Sequence, residues 1–388
     1  MISIKYKNLY DRFIEHYKSV HVNPWHEIDE NQLNQLYNNL INSIDVDNDY
    51  NFKYLMDYII KRLSGSDDAH TKYDFVSILP MNFKMFENDI LINYPDDLKK
   101  GKLLSINGIS IDKIIEELEE VITYGTAGKR KYEIEKALFN RYILFGLPSL
   151  RNCDELIFEV EKLDGEKIIR TFNKNEDYSK EELFDYDQYR FGNNATYKLI
   201  DNFLIYNHSS VQPKFKEKIE LAIDNLRNED LSDIDTIIID IRGNTGGNSA
   251  LNKPLMNFLL ENKEKKLICL TDYRVFSGGR YALRDLINLG AITIGEEIGT
   301  PTNCYGNSNW IHIDGHYFSV SSCYLHPFMG WSASSKEEFQ DEVTDDLLVP
   351  LIFHPDILVE ESEEDYIKDV DTVLSYAIEG DTNKIKMK

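Results

Sequence analysis

The 388-residue chain has no apolar run approaching the length of a membrane-spanning helix, and its opening, MISIKYKNLYDRFIEHYKS, is charged throughout. That opening therefore lacks the apolar centre of a secretory signal. A cytoplasmic protein is the simplest expectation, with export by a route that needs no signal peptide as the alternative. Basic residues are scarce: 43 Lys and Arg stand against 67 Asp and Glu, for a net charge of −24. Such a balance argues against a phosphate-backbone binder, because nucleic acid rewards Lys and Arg, and it disfavours an anionic membrane surface. Cysteine is sparse too. Cys153, Cys269, Cys304 and Cys323 lie far apart without metal-ligand spacing, which argues against a zinc module. Cys269, inside an apolar run, is expected as a small core residue, whereas Cys304 sits in a turn where a reactive thiol is conceivable. Aromatics are not scarce, so the acidity is not that of a disordered chain.

What is present is organised around residues 234–306. A β-branched run, Thr236 to Ile241, meets a polar turn holding Gly246 and Gly247, and helical spacing follows through Leu251, Leu255, Phe258 and Leu259. The plan repeats: a strand over Lys266 to Thr271, a turn at Arg274 to Gly279, a helix over Arg280 to Leu289, then a strand over Ala291 to Gly295. Strand, helix, strand at this spacing predicts parallel right-handed crossovers, with ligands beyond the carboxyl ends of the strands. Two glycine turns would then face one crevice. Ser277, ahead of Gly278 and Gly279, has two readings. It is either a helix N-cap beside ordinary turn glycines, or a nucleophile at a helix mouth beside bare backbone amides able to hold an oxyanion.

Four segments occur in order: DTIIIDIRGNTGGNS, VFSGGRYALRDLI, TIGEEIGTPTNCYG and FHPDILVEESEEDYIKDVDTVLSYAI. Their order and spacing resemble the carboxyl-terminal processing (tail-specific) family of serine peptidases, over about a third of the chain. The resemblance implies Ser277 as nucleophile, with Gly278 and Gly246 or Gly247 supplying oxyanion-binding amides. It also implies a peptide or unfolded protein as substrate. No cofactor or metal is expected, no nucleic acid and no membrane insertion, and a homo-oligomer is compatible with it.

The fold expected is α/β and α+β and multidomain. Helical spacing through Leu9, Phe13, Tyr17, Leu33, Leu36, Leu40, Phe52, Leu55, Tyr58 and Ile59 predicts a helical N-terminal region over 1–74. Residues 75–150 carry short strands, then Gly101-Lys-Leu-Leu-Ser-Ile-Asn-Gly108 and a helix from Ile111 to Val121. This series resembles the PDZ-like module of the same peptidases, which captures extended peptides by strand addition. The usual carboxylate-binding loop is not obvious in the sequence, so a packing module is the competing reading. Residues 151–195 hold a hairpin across Asp164-Gly165 and a charged connector over 173–187. The same resemblance implies that residues 196–388 make a crotonase-like (ClpP-like) α/β peptidase core, with the hairpin around Asp314-Gly315 flanking the substrate cleft, and an amphipathic helix from Asp365 to Ile378 is expected to pack on that core.

A serine hydroxyl needs a base near neutral pH. The dyad lysine of bacterial relatives, roughly two dozen residues after the serine, has no counterpart here, because no lysine occurs between Lys266 and Lys336. Asp68, His70 and Thr71 match an Asp-x-His-Thr segment of several relatives, and in one secreted relative the corresponding histidine is the catalytic base. The resemblance therefore implies His70, with His208, ending the first core strand, next in line. Relatives that use histidine place a glutamate before the Pro-Asp-Ile segment, which points to Glu342 among Glu337, Glu338, Glu342, Asp345 and Asp346, with local orientation of His70 by Asp68 as the alternative. His354, before Pro355, is read as structural. The reading from a different class is a catalytically inactive peptide-binding protein that retains the peptidase fold, and a thiol hydrolase using Cys304 is a third.

Overall fold

In the computed structural model, the structure describes residues 2–87, 89–176 and 193–380, so most of the expected charged connector lies outside the described residues. The chain divides into two compact units. One comprises Met1–Phe184, Asn303–Leu325 and Ser332–Pro350, and the other Asp185–Thr302, His326–Trp331 and Leu351–Lys388. The expected segments 1–74 and 75–150 both fall in the first unit, and 196–388 runs through both.

The second unit is built on one sheet in the order Ile357–Leu358, Ile292–Gly295, Lys266–Thr271, Thr236–Asp240, Phe203–Asn207, Thr196–Ile200. All neighbours are parallel except the last pair. Every residue of Thr236–Asp240 is buried, as a central parallel strand covered on both faces requires. On one face Leu204, Tyr206, Ile237, Ile239 and Cys269 pack with Leu255, Phe258, Leu283 and Leu286 from the helices Lys253–Glu261 and Gly278–Asn288. On the other, Ile205, Ile238, Ile268 and Ile294 meet Val373 and Ala377. The alternation of Ile237 and Ile239 against Ile238 is the period of two that splits the strand between faces.

Two side-chain clasps close this layer. Asp356 of the Pro-Asp-Ile segment accepts the Thr293 amide and hydroxyl, both at 2.8 Å, while its own amide donates to Thr293 Oγ1. That anchors Ile357–Leu358 as a parallel edge strand. Arg242 bridges Asp240 and Asp371, with 2.7 Å contacts to each, tying the central strand to the N-cap of the helix Thr372–Glu379. The single helix expected over 365–378 is in fact two, Glu363–Ile367 and Thr372–Glu379. Asp369 turns to φ +57° between them, and Asp371 caps the second. Charge and spacing alone do not reveal a left-handed aspartate.

In the first unit, the N-terminal helices Ile4–Val20, Glu30–Ser43 and Asp49–Ser64 are present. A separate sheet runs Asn82–Met85, Ile90–Tyr94, Lys102–Ile106, Glu155–Glu161, Lys167–Asn173, with Ile109–Ser110 folded back on Lys102–Ile106 across the Asn107-Gly108 turn. The hairpin of 155–173 thus shares a sheet with the segment 75–150, through antiparallel pairing of Lys102–Ile106 with Glu155–Glu161. The hairpin around Asp314-Gly315 is longer than the sequence suggests, Cys304–Ile313 against His316–His326, and Lys72–Asp74 pairs along its other side. No helix among the described residues is long and apolar enough to cross a membrane.

Candidate active site

The serine turn is made almost entirely of main chain. Ser277 has φ +48° and ψ −118°, a conformation L-residues avoid, and its side chain does not cap the helix Gly278–Asn288 that follows it. Ser277 thus stands at the N-cap position without capping the helix through its side chain. A non-glycine residue held in this region costs on the order of 1–3 kcal/mol and persists only where its surroundings enforce it. Here the surroundings are glycines. A Cβ on Gly246 would lie 2.4 Å from the Gly278 nitrogen and 2.9 Å from Ser277 Cβ, and one on Gly278 would lie 2.8 Å from the Gly247 oxygen. Gly247, at φ +129°, has the Val211 carbonyl 2.4 Å from its Cβ position. Any side chain at these positions would force the two turns apart.

Within this turn the amides divide. The Gly246 N–H donates to Asn244 Oδ1 at 3.0 Å and so belongs to the turn itself. The Gly247 and Gly278 amides have no acceptor among the described residues. Asn244 ties the turn down further: its Nδ2 donates to the His208 carbonyl, and the Phe276 amide donates to its own carbonyl. Arg280, wholly buried, donates to the Pro301 and Thr302 carbonyls and so fixes the turn after Gly299 to the helix that Ser277 opens. Neither Asn244 nor Arg280 carries a signal in the sequence beyond adjacency to the glycines.

His208 lies under this turn with no exposed surface. Its Nε2 donates to Asn252 Oδ1 at 2.9 Å, and its Nδ1 has no hydrogen-bond partner. Burial pushes its pKa down, with the Asn252 contact opposing, so the ring is held neutral. Its carbonyl and its bulk support Asn244.

The histidine turn, in the other unit, is made of side chains. Asp68 Oδ1 accepts the Thr71 amide at 3.0 Å and the Ser321 hydroxyl, and Oδ2 faces His21 Nε2 at 3.2 Å. Burial alone would raise the Asp68 pKa, but the hydrogen bonds from His21, Ser321 and Thr71 outweigh it and hold the carboxyl well below the usual range. The Thr71 hydroxyl in turn accepts the Ser321 amide. This clasp fixes the loop on which the buried His70 sits, with Nδ1 3.2 Å from the Tyr305 carbonyl. An Nδ1–H donating to a carbonyl leaves Nε2 as the proton-accepting nitrogen, the tautomer a general base needs. Gly306, whose Cβ position lies 3.5 Å from the His70 ring, leaves room beside it.

Glu342 ends the exposed side of the helix Lys336–Glu342, whose Phe339 packs on the Tyr305 and Tyr324 rings. His354 pairs with Glu297 at 2.5 Å on the surface. Cys304 is buried in its strand, and Cys269 is buried among core aliphatics with its thiol pKa pushed up by that burial. His21 is the residue that sequence reading missed. It lies 47 positions from Asp68, and no pattern in the sequence joins the two.

No family model matches the chain, and no curated protein matches it. Solved structures do. Mature CPAF is 12% identical, with 99% of this chain and 100% of that chain aligned and a TM-score of 0.62. Mature CPAF complexed with lactacystin is 11% identical, with 98% and 100% aligned and a TM-score of 0.63. At such identities the likeness is one of fold: this chain has a mixed α/β, multi-sheet architecture similar to that of CPAF along nearly its whole length.

Proposed function

We propose that the chain is a serine-type endopeptidase of the carboxyl-terminal processing kind, with Ser277 as nucleophile and His70 as base. The observation that carries this reading is the Ser277 backbone. A serine that neither caps its helix nor relaxes its φ of +48°, pressed against two glycines whose neighbours exclude a Cβ, is a strained nucleophile turn of the type hydrolases use to present a hydroxyl. The Gly247 and Gly278 amides bind the oxyanion. Ser277 Oγ attacks the peptide carbonyl carbon as its proton passes to His70. The carbon–nitrogen bond then breaks as His70 returns the proton to the leaving amine, and water, deprotonated by His70, attacks the acyl carbon, so that the ester bond to Ser277 Oγ breaks as His70 gives the proton back to that oxygen. Glu342 is the acid that the family pattern assigns behind His70, whereas His70 Nδ1 donates to the Tyr305 carbonyl. Because the lysine of the dyad enzymes has no counterpart between Lys266 and Lys336, His70 replaces it, with His208 as the other candidate base.

In the same reading, the unit built on Thr236–Asp240 is the crotonase-like core, and the sheet of 82–173 is a PDZ-like module serving packing rather than carboxylate capture. The test is hydrolysis of unstructured peptides by the native chain, Ser277→Ala and His70→Ala. Turnover that depends on both residues supports the proposal. An active Ser277→Ala variant would overturn it, and binding of the same peptides without turnover would favour the inactive peptide-binding protein.

A further inference from the structure

His26, Glu27 and Asp67 converge in the first unit, beside the loop that carries His70 but without using any residue assigned to hydrolysis. Their ligating atoms all lie within 4.8 Å of one another. They come from two segments, the 21–29 loop and the turn after the helix Asp49–Ser64, and form no linear motif.

The His26 ring is the informative member. Its Nδ1 is 2.9 Å from the Asn23 carbonyl, so Nδ1 carries the hydrogen and donates it there. Its Nε2 then faces only oxygens: the Ser64 carbonyl at 3.4 Å and Asp67 Oδ1 at 3.8 Å. A neutral ring would point a lone pair at both. A protonated ring would reach them at distances longer than the roughly 2.7–3.2 Å of a good N–H···O bond. Two ligands about 2.1 Å from one tetrahedral ion stand about 3.4 Å apart, and the 3.8 Å between His26 Nε2 and Asp67 Oδ1 is wide enough to admit one. Donation from the second ring nitrogen to a backbone carbonyl is also how metal-binding histidines are usually oriented.

Three further observations point the same way. Asp67 Oδ1 is shielded from solvent and has no hydrogen-bond partner among the described residues. Gly65, at φ +55°, has Glu27 Oε1 2.1 Å from where a Cβ would be, so only glycine lets that carboxylate lie over the turn. The site also sits at the carboxyl end of a 16-residue helix, where the dipole favours a cation.

We propose that His26 Nε2, Asp67 Oδ1 and the Glu27 carboxylate form a site for a divalent transition-metal ion of the zinc type. One imidazole and two carboxylates suit such an ion, with water completing the shell. The exposed Glu27 is the ligand that closes onto it. The ion would also brace the loop of His70, since the Asp67 carbonyl accepts the Tyr305 amide at 3.0 Å and His70 leans on the Tyr305 carbonyl. That consequence alone rests on the proposed peptidase reading; the site itself does not, and hydrolysis needs no metal.

The test uses the full chain stripped with chelator, exchanged into dilute zinc chloride and passed over a desalting column. Metal content and thermal midpoint are then read without substrate. One zinc ion per chain is expected, with a midpoint raised by several degrees, and at least tenfold weaker binding in Glu27→Gln, Asp67→Asn and His26→Ala. Glu27→Gln alters an exposed residue, so it keeps the test decisive if the buried variants misfold. No retained zinc, or zinc retained equally by Glu27→Gln, would overturn the site. Since no substrate is present, that failure is separate from any failure of hydrolysis.

Discussion

The serine turn and the histidine turn are held by opposite means. Around Ser277 the constraint is the absence of side chains, with Gly246, Gly247 and Gly278 packed so closely that a Cβ on any of them would meet backbone at under 3 Å. Around His70 the constraint is a hydrogen-bonded set of side chains, Asp68, His21, Thr71 and Ser321. A backbone-built turn stores its instructions locally, as glycines in one short stretch. A side-chain-built turn draws on residues as far apart as His21 and Ser321.

Several variants would break or sharpen this contrast. The largest effect belongs to Ser277 itself. Ser277→Ala should cut peptide turnover by about a millionfold, and Ser277→Gly should do the same while raising stability by about 1 kcal/mol, because glycine relaxes the positive φ. A Ser277→Gly protein that melts below the native chain would show that the turn is not strained. Next comes Asp68→Ala, which removes the shared acceptor of the His21, Thr71 and Ser321 hydrogen bonds and should cost on the order of 3 kcal/mol, because each donor left buried and unsatisfied costs about 1–3 kcal/mol, read as a drop in urea midpoint. If the loss is under about 1 kcal/mol, the histidine turn is not held by its side chains. Gly247→Ala should cost about 2–3 kcal/mol through its φ of +129° and the Val211 carbonyl in its way. It should lower turnover more than its stability loss explains, and unaltered kinetics would remove the Gly247 amide from the site.

The smallest effect is a pH dependence under the serine turn. His208 has a folded pKa below its ordinary value because it is buried. The unfolded chain therefore takes up a proton first as pH falls through about 6.5, and the stability present above that pH is lost toward the lower folded pKa. His208→Gln should flatten this part of the profile in urea melts between pH 7.5 and 5.5. An equally steep loss in the variant would assign the dependence elsewhere.

This contrast also explains what was legible in the sequence. The strands Thr236–Asp240 and Lys266–Thr271 and the helix after Ser277 could be read from β-branched runs and glycine turns, since a parallel sheet is specified by local patterning. Asp356 fell in a recognisable segment, yet its bond to Thr293, 63 residues away, could not be read. Periodicity said nothing of His21 reaching Asp68, of Tyr305 supporting His70, or of Asn244 committing the Gly246 amide, because tertiary hydrogen bonds leave no period. It also misled at Asp369, where one left-handed residue divides a stretch whose apolar spacing alone reads as continuous helix.

The central claim is that Ser277 is an activated nucleophile. Labelling of the native chain with a fluorophosphonate serine probe, beside Ser277→Ala and His70→Ala, tests it most directly. The account predicts one labelled site, lost in Ser277→Ala and strongly reduced in His70→Ala. A folded native chain that stays unlabelled, even after limited proteolysis to open any closed precursor, would contradict it.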